Sequence, residues 1–248
     1  MTLPWKRFVA LGDSLTEGVG DPGRRGKLRG WADRLAAAMA PADPGFAYAN
    51  LARRGLRSEE VRRTQLEPAL RLEPDLASVL VGMNDVLEPR FHPARFEQEL
   101  ESIVGPLRQS GAVILTATIP DVTLFSPLPR RVLSGIRARL RAASEAVRAI
   151  SQRHDAVLLD LEALPEVRQR QVMSVDRLHP SPRGHVLLAR AFAELLEERA
   201  GVPIPRPEDT DLAGRLPQLT WLIRQLRPAE VARFVYRFYL SPPRGTDP

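Results

Sequence analysis

The sequence predicts a three-layer α/β protein, with helices on both faces of a five-stranded parallel sheet. Two features of the chain point there. Short runs rich in Val, Leu and Ile recur at intervals, and longer helical patterns separate them. The composition agrees, being 44% hydrophobic and 27% charged over 248 residues, which suits a globular chain that buries a large core and excludes fibrous or wholly disordered states.

In chain order, the strands are expected at Phe8 to Leu11, Phe46 to Leu51, Leu76 to Val81, Val113 to Thr118 and Val157 to Leu161. The helices between and after them are expected near Trp31 to Met39, Ser58 to Leu72, Pro93 to Gln109, Arg130 to Arg153 and Pro182 to Ala200. The last carries its own start and stop signals: Ser181 as N-cap, Pro182 at the first helical position and Gly201 beyond the end. These elements fill residues 1–200, read as one domain. Residues 201–248 read as an extension, opening with the proline-rich joint Val202-Pro203-Ile204-Pro205-Arg206-Pro207 and continuing in two short helical patterns. The second, Ala229 to Leu240, aligns Val231, Phe234, Val235 and Phe238 in one apolar stripe that needs a partner. The body of the protein, a homodimer contact, a lid or a membrane surface could each supply it.

Charge and residue usage narrow the function. The formal charge is +6, but lysine occurs only at Lys6 and Lys27, and the arginines run from Arg7 to Arg244 interspersed with acids. A nucleic-acid partner is therefore not expected; the dense group from Arg130 to Arg141 reads as a solvated helix face. With no cysteine, disulfides, thiolate zinc sites and cysteine nucleophiles are excluded. The sequence shows no apolar run long enough for a signal peptide or a transmembrane helix, so a cytoplasmic protein is expected.

In an open parallel sheet ligands bind beyond the carboxyl ends of the strands, where the winding reverses. Four strand ends carry polar residues: Gly12-Asp13-Ser14-Leu15 after the first, Ala52-Arg53-Arg54-Gly55 after the second, Gly82-Met83-Asn84-Asp85 after the third, and Asp176-Arg177-Leu178-His179 after the fifth. A serine hydroxyl needs a base, and an imidazole base needs a carboxylate to fix its tautomer; Asp176, three residues before His179, meets the second need. Acyl transfer also needs donors for an oxyanion, for which the backbone N–H groups of Ser14 and Gly55 and the side-chain amide of Asn84 are candidates. A flavodoxin-like strand order, 2-1-3-4-5, would bring Ser14, Gly55 and Asn84 to one crevice. Asp13 and Asp85 read as loop-fastening carboxylates. The apolar loop from Thr118 to Pro129 predicts that Leu124, Phe125 and Leu128 line an acyl pocket or its entrance.

Together these blocks resemble the GDSL-like, or SGNH, hydrolases, over about residues 5–200. The matching positions are Ser14, Gly55, Asn84 and His179. The resemblance implies hydrolysis of carboxylic esters or thioesters of a small-molecule acyl substrate through an acyl-serine, with catalytic Ser14, Asp176 and His179, an oxyanion hole of Ser14, Gly55 and Asn84, and no metal or cofactor. An acyltransferase using the same site, or a non-catalytic binding module, is the alternative. Other motifs fit less well. Gly18, Gly20 and Gly23 spell a dinucleotide fingerprint, but not directly after a strand, and Pro22 interrupts it, so a flexible loop is expected there. The Gly-x-Ser-x-Gly of the α/β-hydrolases does not occur. A metal site from Asp176, His179 and His185 has no diagnostic spacing, and His185 is expected to face solvent or pack near the start of the final helix.

Overall fold

The structure is a computed structural model that describes residues 3–23, 27–125, 130–208, 214 and 217–221. Five strands, β1 (Arg7–Gly12), β2 (Ala47–Asn50), β3 (Leu76–Leu80), β4 (Val113–Ala117) and β5 (Val157–Leu159), form one parallel sheet in the order 2-1-3-4-5. The register sets Phe8 opposite both Tyr48 and Leu76, and Gly12 opposite Leu80. β5 is shorter than its apolar run, which bends away after Leu159, although Thr118 N–H still reaches the Leu159 carbonyl at 3.1 Å.

Successive side chains of a strand point to opposite faces, and the core divides accordingly. Phe8, Ala10, Leu76 and Leu80 pack on one face with α2 (Trp31–Met39) and the final helix, where Trp31 and Phe192 lie 4.6 Å apart between ring centroids. Val9, Leu11, Ala77 and Val79 pack on the other against α6 (Pro93–Gln109) and α7 (Arg130–Arg153). Short helices follow the strand ends: α1 (Ser14–Glu17) after β1 and α5 (Met83–Val86) after β3.

The helix expected over Ser58 to Leu72 is divided. α3 (Ser58–Val61) passes through a widened π turn at Arg62–Leu66 into α4 (Glu67–Arg71). Pro68 has no N–H for the Thr64 carbonyl and its ring crowds that oxygen, so the turn opens. The last helix, α8 (Pro182–Ala200), begins where Ser181 Oγ accepts the Gly184 N–H at 3.2 Å and stops at the left-handed Gly201. Beyond it the joint folds back along α8: Ile204 is buried in the core and Arg190 Nε donates to the Pro207 carbonyl at 2.8 Å. Ala229 to Leu240 lie outside the described residues. Among the described residues no helix is long and apolar enough to cross a membrane.

His185 does not face solvent. It is fully buried near the start of α8, with Nδ1 accepting the Trp31 N–H at 3.1 Å and Nε2 donating to the Val19 carbonyl at 3.0 Å. Both ring nitrogens are thus committed to backbone, and neither is left for a metal. The glycine-rich stretch it grips is packed rather than loose, since Val19, Gly20, Asp21 and Pro22 are all buried. Burial depresses the His185 pKa to about 4. The unfolded chain therefore takes up a proton below about pH 6.5 that the native state refuses, and stability falls as pH drops from there toward 4. We expect His185→Gln, which keeps one donor and one acceptor, to gain stability relative to wild type over that range, by up to about 3 kcal/mol at the acid end. Urea unfolding at a series of pH values checks this; a stability difference that does not vary with pH contradicts it.

Candidate active site

The crevice lies at the carboxyl ends of β1 and β3, where the winding reverses. β1 ends at Gly12 with φ +148, where a Cβ would stand 2.2 Å from the Leu80 carbonyl oxygen, so only glycine lets the two strands stay paired to the end. The π turn aims Gln65 at this spot: its Oε1 accepts the Gly12 N–H at 2.8 Å and its Nε2 donates to the Gly12 carbonyl at 2.9 Å. Asp13 then caps α1, with Oδ1 accepting the Leu15 N–H at 3.1 Å, and presents Ser14 as the first helical residue. Asn50, at the end of β2, fastens the same helix by donating to the Thr16 carbonyl at 2.8 Å.

His179 arrives from the far end of the chain on a loop that closes on itself, the Ser174 N–H donating to the His179 carbonyl at 2.8 Å. Asp176 Oδ1 accepts the backbone N–H groups of Leu178 and His179, each at 3.0 Å, and Oδ2 lies 2.7 Å from His179 Nδ1. His179 Nε2 lies 2.8 Å from Ser14 Oγ. Burial of Asp176 opposes ionisation, but its hydrogen bonds and the His179 charge outweigh burial and hold the carboxyl below the usual carboxylate range. It is a carboxylate at neutral pH, so the hydrogen on Nδ1 points to Asp176 and the Nε2 lone pair faces the Ser14 hydroxyl.

Gly55 lies on the loop after β2 with φ +81, a left-handed conformation that favours glycine. Among the described residues, neither the Ser14 nor the Gly55 backbone N–H has a protein acceptor. Both residues line the same cleft. Asn84, on α5, also lines it; its Nδ2 donates to Asp13 Oδ2 at 3.2 Å and to the Leu56 carbonyl at 3.0 Å. Asp13 thereby ties Asn84 to the serine turn, and burial pushes its carboxyl up to about 7. Asp85 does the matching task for the next loop, accepting from the Ser58 hydroxyl at 2.6 Å and from the Ser58 N–H.

The model of the GDSL-like lipase/acylhydrolase family matches residues 10–187, well over half of the chain and including all of these positions. The chain belongs to that family. It is 32% identical over 145 residues to a GDSL-like esterase of Mycobacterium tuberculosis, covering 53% of this chain and 44% of that protein, so it spans under half of that relative. It is 23% identical over 211 residues to an acetylxylan esterase of Geobacillus stearothermophilus, covering 75% of this chain and 92% of the relative. The crystal structure of a lipase/acylhydrolase from Enterococcus faecalis shares the fold, with a TM-score of 0.61 at 18% identity over 83% of this chain and all of that one.

Membership makes this chain a GDSL-like lipase/acylhydrolase family protein. Its cleft opens into a cavity of about 570 Å³. Ser14, Gly55, Asn84 and His179 lie on the polar side, while Leu80, Ala117, Leu161, Val172 and Leu188 make an apolar wall. The loop after β4 contributes differently from expectation. Ile119, Pro120, Asp121 and Val122 line the cavity, whereas Leu124 does not: it is 50% exposed. The reason is the short turn Val122–Phe125, in which Thr123 is buried and bonded to Asp121 and to Arg137 Nε, and the next side chain is turned outward. Leu128 and the Phe125 side chain lie outside what the structure describes.

The family's four motif residues and Asp176 are visible in the sequence; Gln65, Asn50 and the two hydrogen bonds that Asn84 donates are not. A polar side chain inside the apolar stripe of a helix was the one available sign of Gln65.

Proposed function

We propose that the protein hydrolyses carboxylic esters and thioesters by transferring the acyl group to Ser14. The observation that carries this is the unbroken chain from Asp176 through His179 to the Ser14 hydroxyl, at 2.7 and 2.8 Å, beside two backbone N–H groups that have no acceptor among the described residues. Ser14 Oγ attacks the acyl carbon as His179 Nε2 takes its proton. The tetrahedral oxyanion is held by the Ser14 and Gly55 N–H groups and by Asn84, which turns one of its amide hydrogens from Asp13 or Leu56 toward the new charge. The bond to the leaving alcohol or thiol breaks, and His179 gives that group its proton. Water then attacks the acyl-serine with His179 again accepting a proton; the second tetrahedral intermediate expels Ser14 Oγ, which recovers the proton, and the acid departs.

The cavity favours an acyl chain over an acetyl group. Its volume of about 570 Å³ falls within the ~300–1,000 Å³ of ordinary small-molecule sites, and the wall behind Ser14 is apolar. Each methylene buried there is worth ~0.8 kcal/mol, up to about fourfold in kcat/KM. In a series of p-nitrophenyl esters from acetate to palmitate, kcat/KM is expected to climb from acetate through the medium chains and level off once the cavity is full. A series that peaks at acetate contradicts the acyl-chain assignment and favours the O-acetyl esters named for the Geobacillus relative.

A further inference from the structure

We infer that Glu17, Arg54 and Trp221 form a clamp that holds Gly55 in place to meet the oxyanion, so that a side chain from beyond the proline-rich joint belongs to the active site. This rests on the acyl-transfer reading above.

Gly55 cannot fix its own position. It has no side chain, no heavy atom of the described residues other than its chain neighbours stands within 4 Å of where its Cβ would be, and it sits on a loop leaving the edge strand of the sheet. Its neighbours are fastened instead. On one side the Arg53 N–H donates to the Gly12 carbonyl at 3.2 Å, and on the other the Leu56 carbonyl accepts from Asn84. The strongest tie is at Arg54, the adjoining residue. Glu17 Oε2 accepts both the Arg54 backbone N–H at 2.7 Å and Nε at 2.9 Å, while Oε1 accepts Nη2 at 2.8 Å. Glu17 stands one turn beyond Ser14 on α1, so one carboxylate locks the loop carrying Gly55 to the helix carrying the serine.

An ion pair as open as this one, with side chains 39% and 26% exposed, holds little by itself. Trp221 changes that. Its ring lies over the Arg54 guanidinium, 5.1 Å from the ring centroid to Cζ, and Trp221 is itself buried. Stacking attracts the cation, covers one face of the planar fork and limits its rotation. The same segment reaches the opposite side of the cleft: Gln218 is buried and its Oε1 accepts from Ser174 Oγ at 3.4 Å, and Ser174 N–H holds the His179 carbonyl. Residues 217–221 thus touch both the loop of the oxyanion glycine and the loop of the base.

Positioning can be separated from mere folding through a ligand that needs the oxyanion site. An alkylboronic acid bonds to Ser14 Oγ and places a tetrahedral boron hydroxyl where the oxyanion would sit, whereas KM for a p-nitrophenyl ester depends mainly on the acyl cavity. The experiment measures kcat per titrated active site, KM and the Ki of butylboronic acid for full-length wild type, Glu17→Gln, Trp221→Ala, Trp221→Phe and Asn84→Ala. Asn84→Ala sets the scale for full loss of one donor, about 10²–10³ in kcat. A loosened clamp is expected to cost about 10-fold, since a displacement near 1 Å can cost ~10²-fold. Glu17→Gln and Trp221→Ala should lose kcat and boronate affinity in parallel with KM within about twofold, and Trp221→Phe should recover most of both. Unchanged kcat and Ki in Glu17→Gln overturn the clamp even if Trp221→Ala does not fold. A rise in KM alone overturns it too, making Trp221 a substrate contact. Failure of the underlying mechanism looks different: hydrolysis would survive Ser14→Ala.

Discussion

Ser14→Ala is expected to lower kcat by about five to six orders of magnitude, the cost of removing the nucleophile from a serine, histidine and carboxylate unit that works as one. The protein should fold as before, because the turn that presents Ser14 is built by other groups: the Gly12 backbone bonded twice to Gln65, and the Asp13 cap on Leu15. Among the described residues, only the Ser14–His179 hydrogen bond disappears. Substrate affinity should survive, since the apolar wall of the cavity is untouched. A small residual rate over water should persist from the Gly55 and Asn84 donors and from binding. Steady-state hydrolysis of a medium-chain p-nitrophenyl ester, with circular dichroism to verify the fold, measures this. Activity within 10-fold of wild type would remove Ser14 from the chemistry.

Asp176→Asn is expected to cost about four orders of magnitude in kcat, and the structure supplies the reason. One oxygen of Asp176 accepts two backbone N–H groups, from Leu178 and His179. An asparagine here must keep its carbonyl oxygen on those amides, which turns its NH₂ toward His179 Nδ1. That nitrogen then has to accept, the ring proton moves to Nε2, and the imidazole faces Ser14 with a hydrogen instead of a lone pair. The stabilising charge for the imidazolium is lost as well. Because the loop retains both backbone bonds, thermal unfolding should change little. A loss in kcat below 10-fold with the fold intact would show that Asp176 does not set the tautomer of the base.

The parts of this molecule that were legible in its sequence are those in which the signal is local. Ser181, Pro182 and Gly201 bound α8 because capping depends on adjacent residues, and β1 and β3 read clearly because a strand buried on both faces is a mostly apolar run, which Ser78 alone interrupts in β3. The alternation of β and α segments predicts a parallel sheet, and the flavodoxin-like order, which the sheet has, sets Ser14, Gly55 and Asn84 on one crevice. What could not be read depends on contacts between distant positions. Glu17 and Arg54 are ordinary surface charges in sequence and become a fork only when α1 and the loop after β2 are neighbours. His185 resembles a surface histidine until the loop at Val19 closes over it. The loop after β4 depends on such detail too: a single turn decides which of its residues line the cavity, and Leu124 is half exposed and does not.

The most direct test of acyl transfer to Ser14 is to stop the reaction with acid during the first turnover of p-nitrophenyl octanoate and map the protein by peptide mass spectrometry. One octanoyl group per chain is expected, attached at Ser14 and appearing in step with the initial burst of p-nitrophenol. A burst accompanied by acylation of a different residue, with Ser14 unmodified, would contradict it.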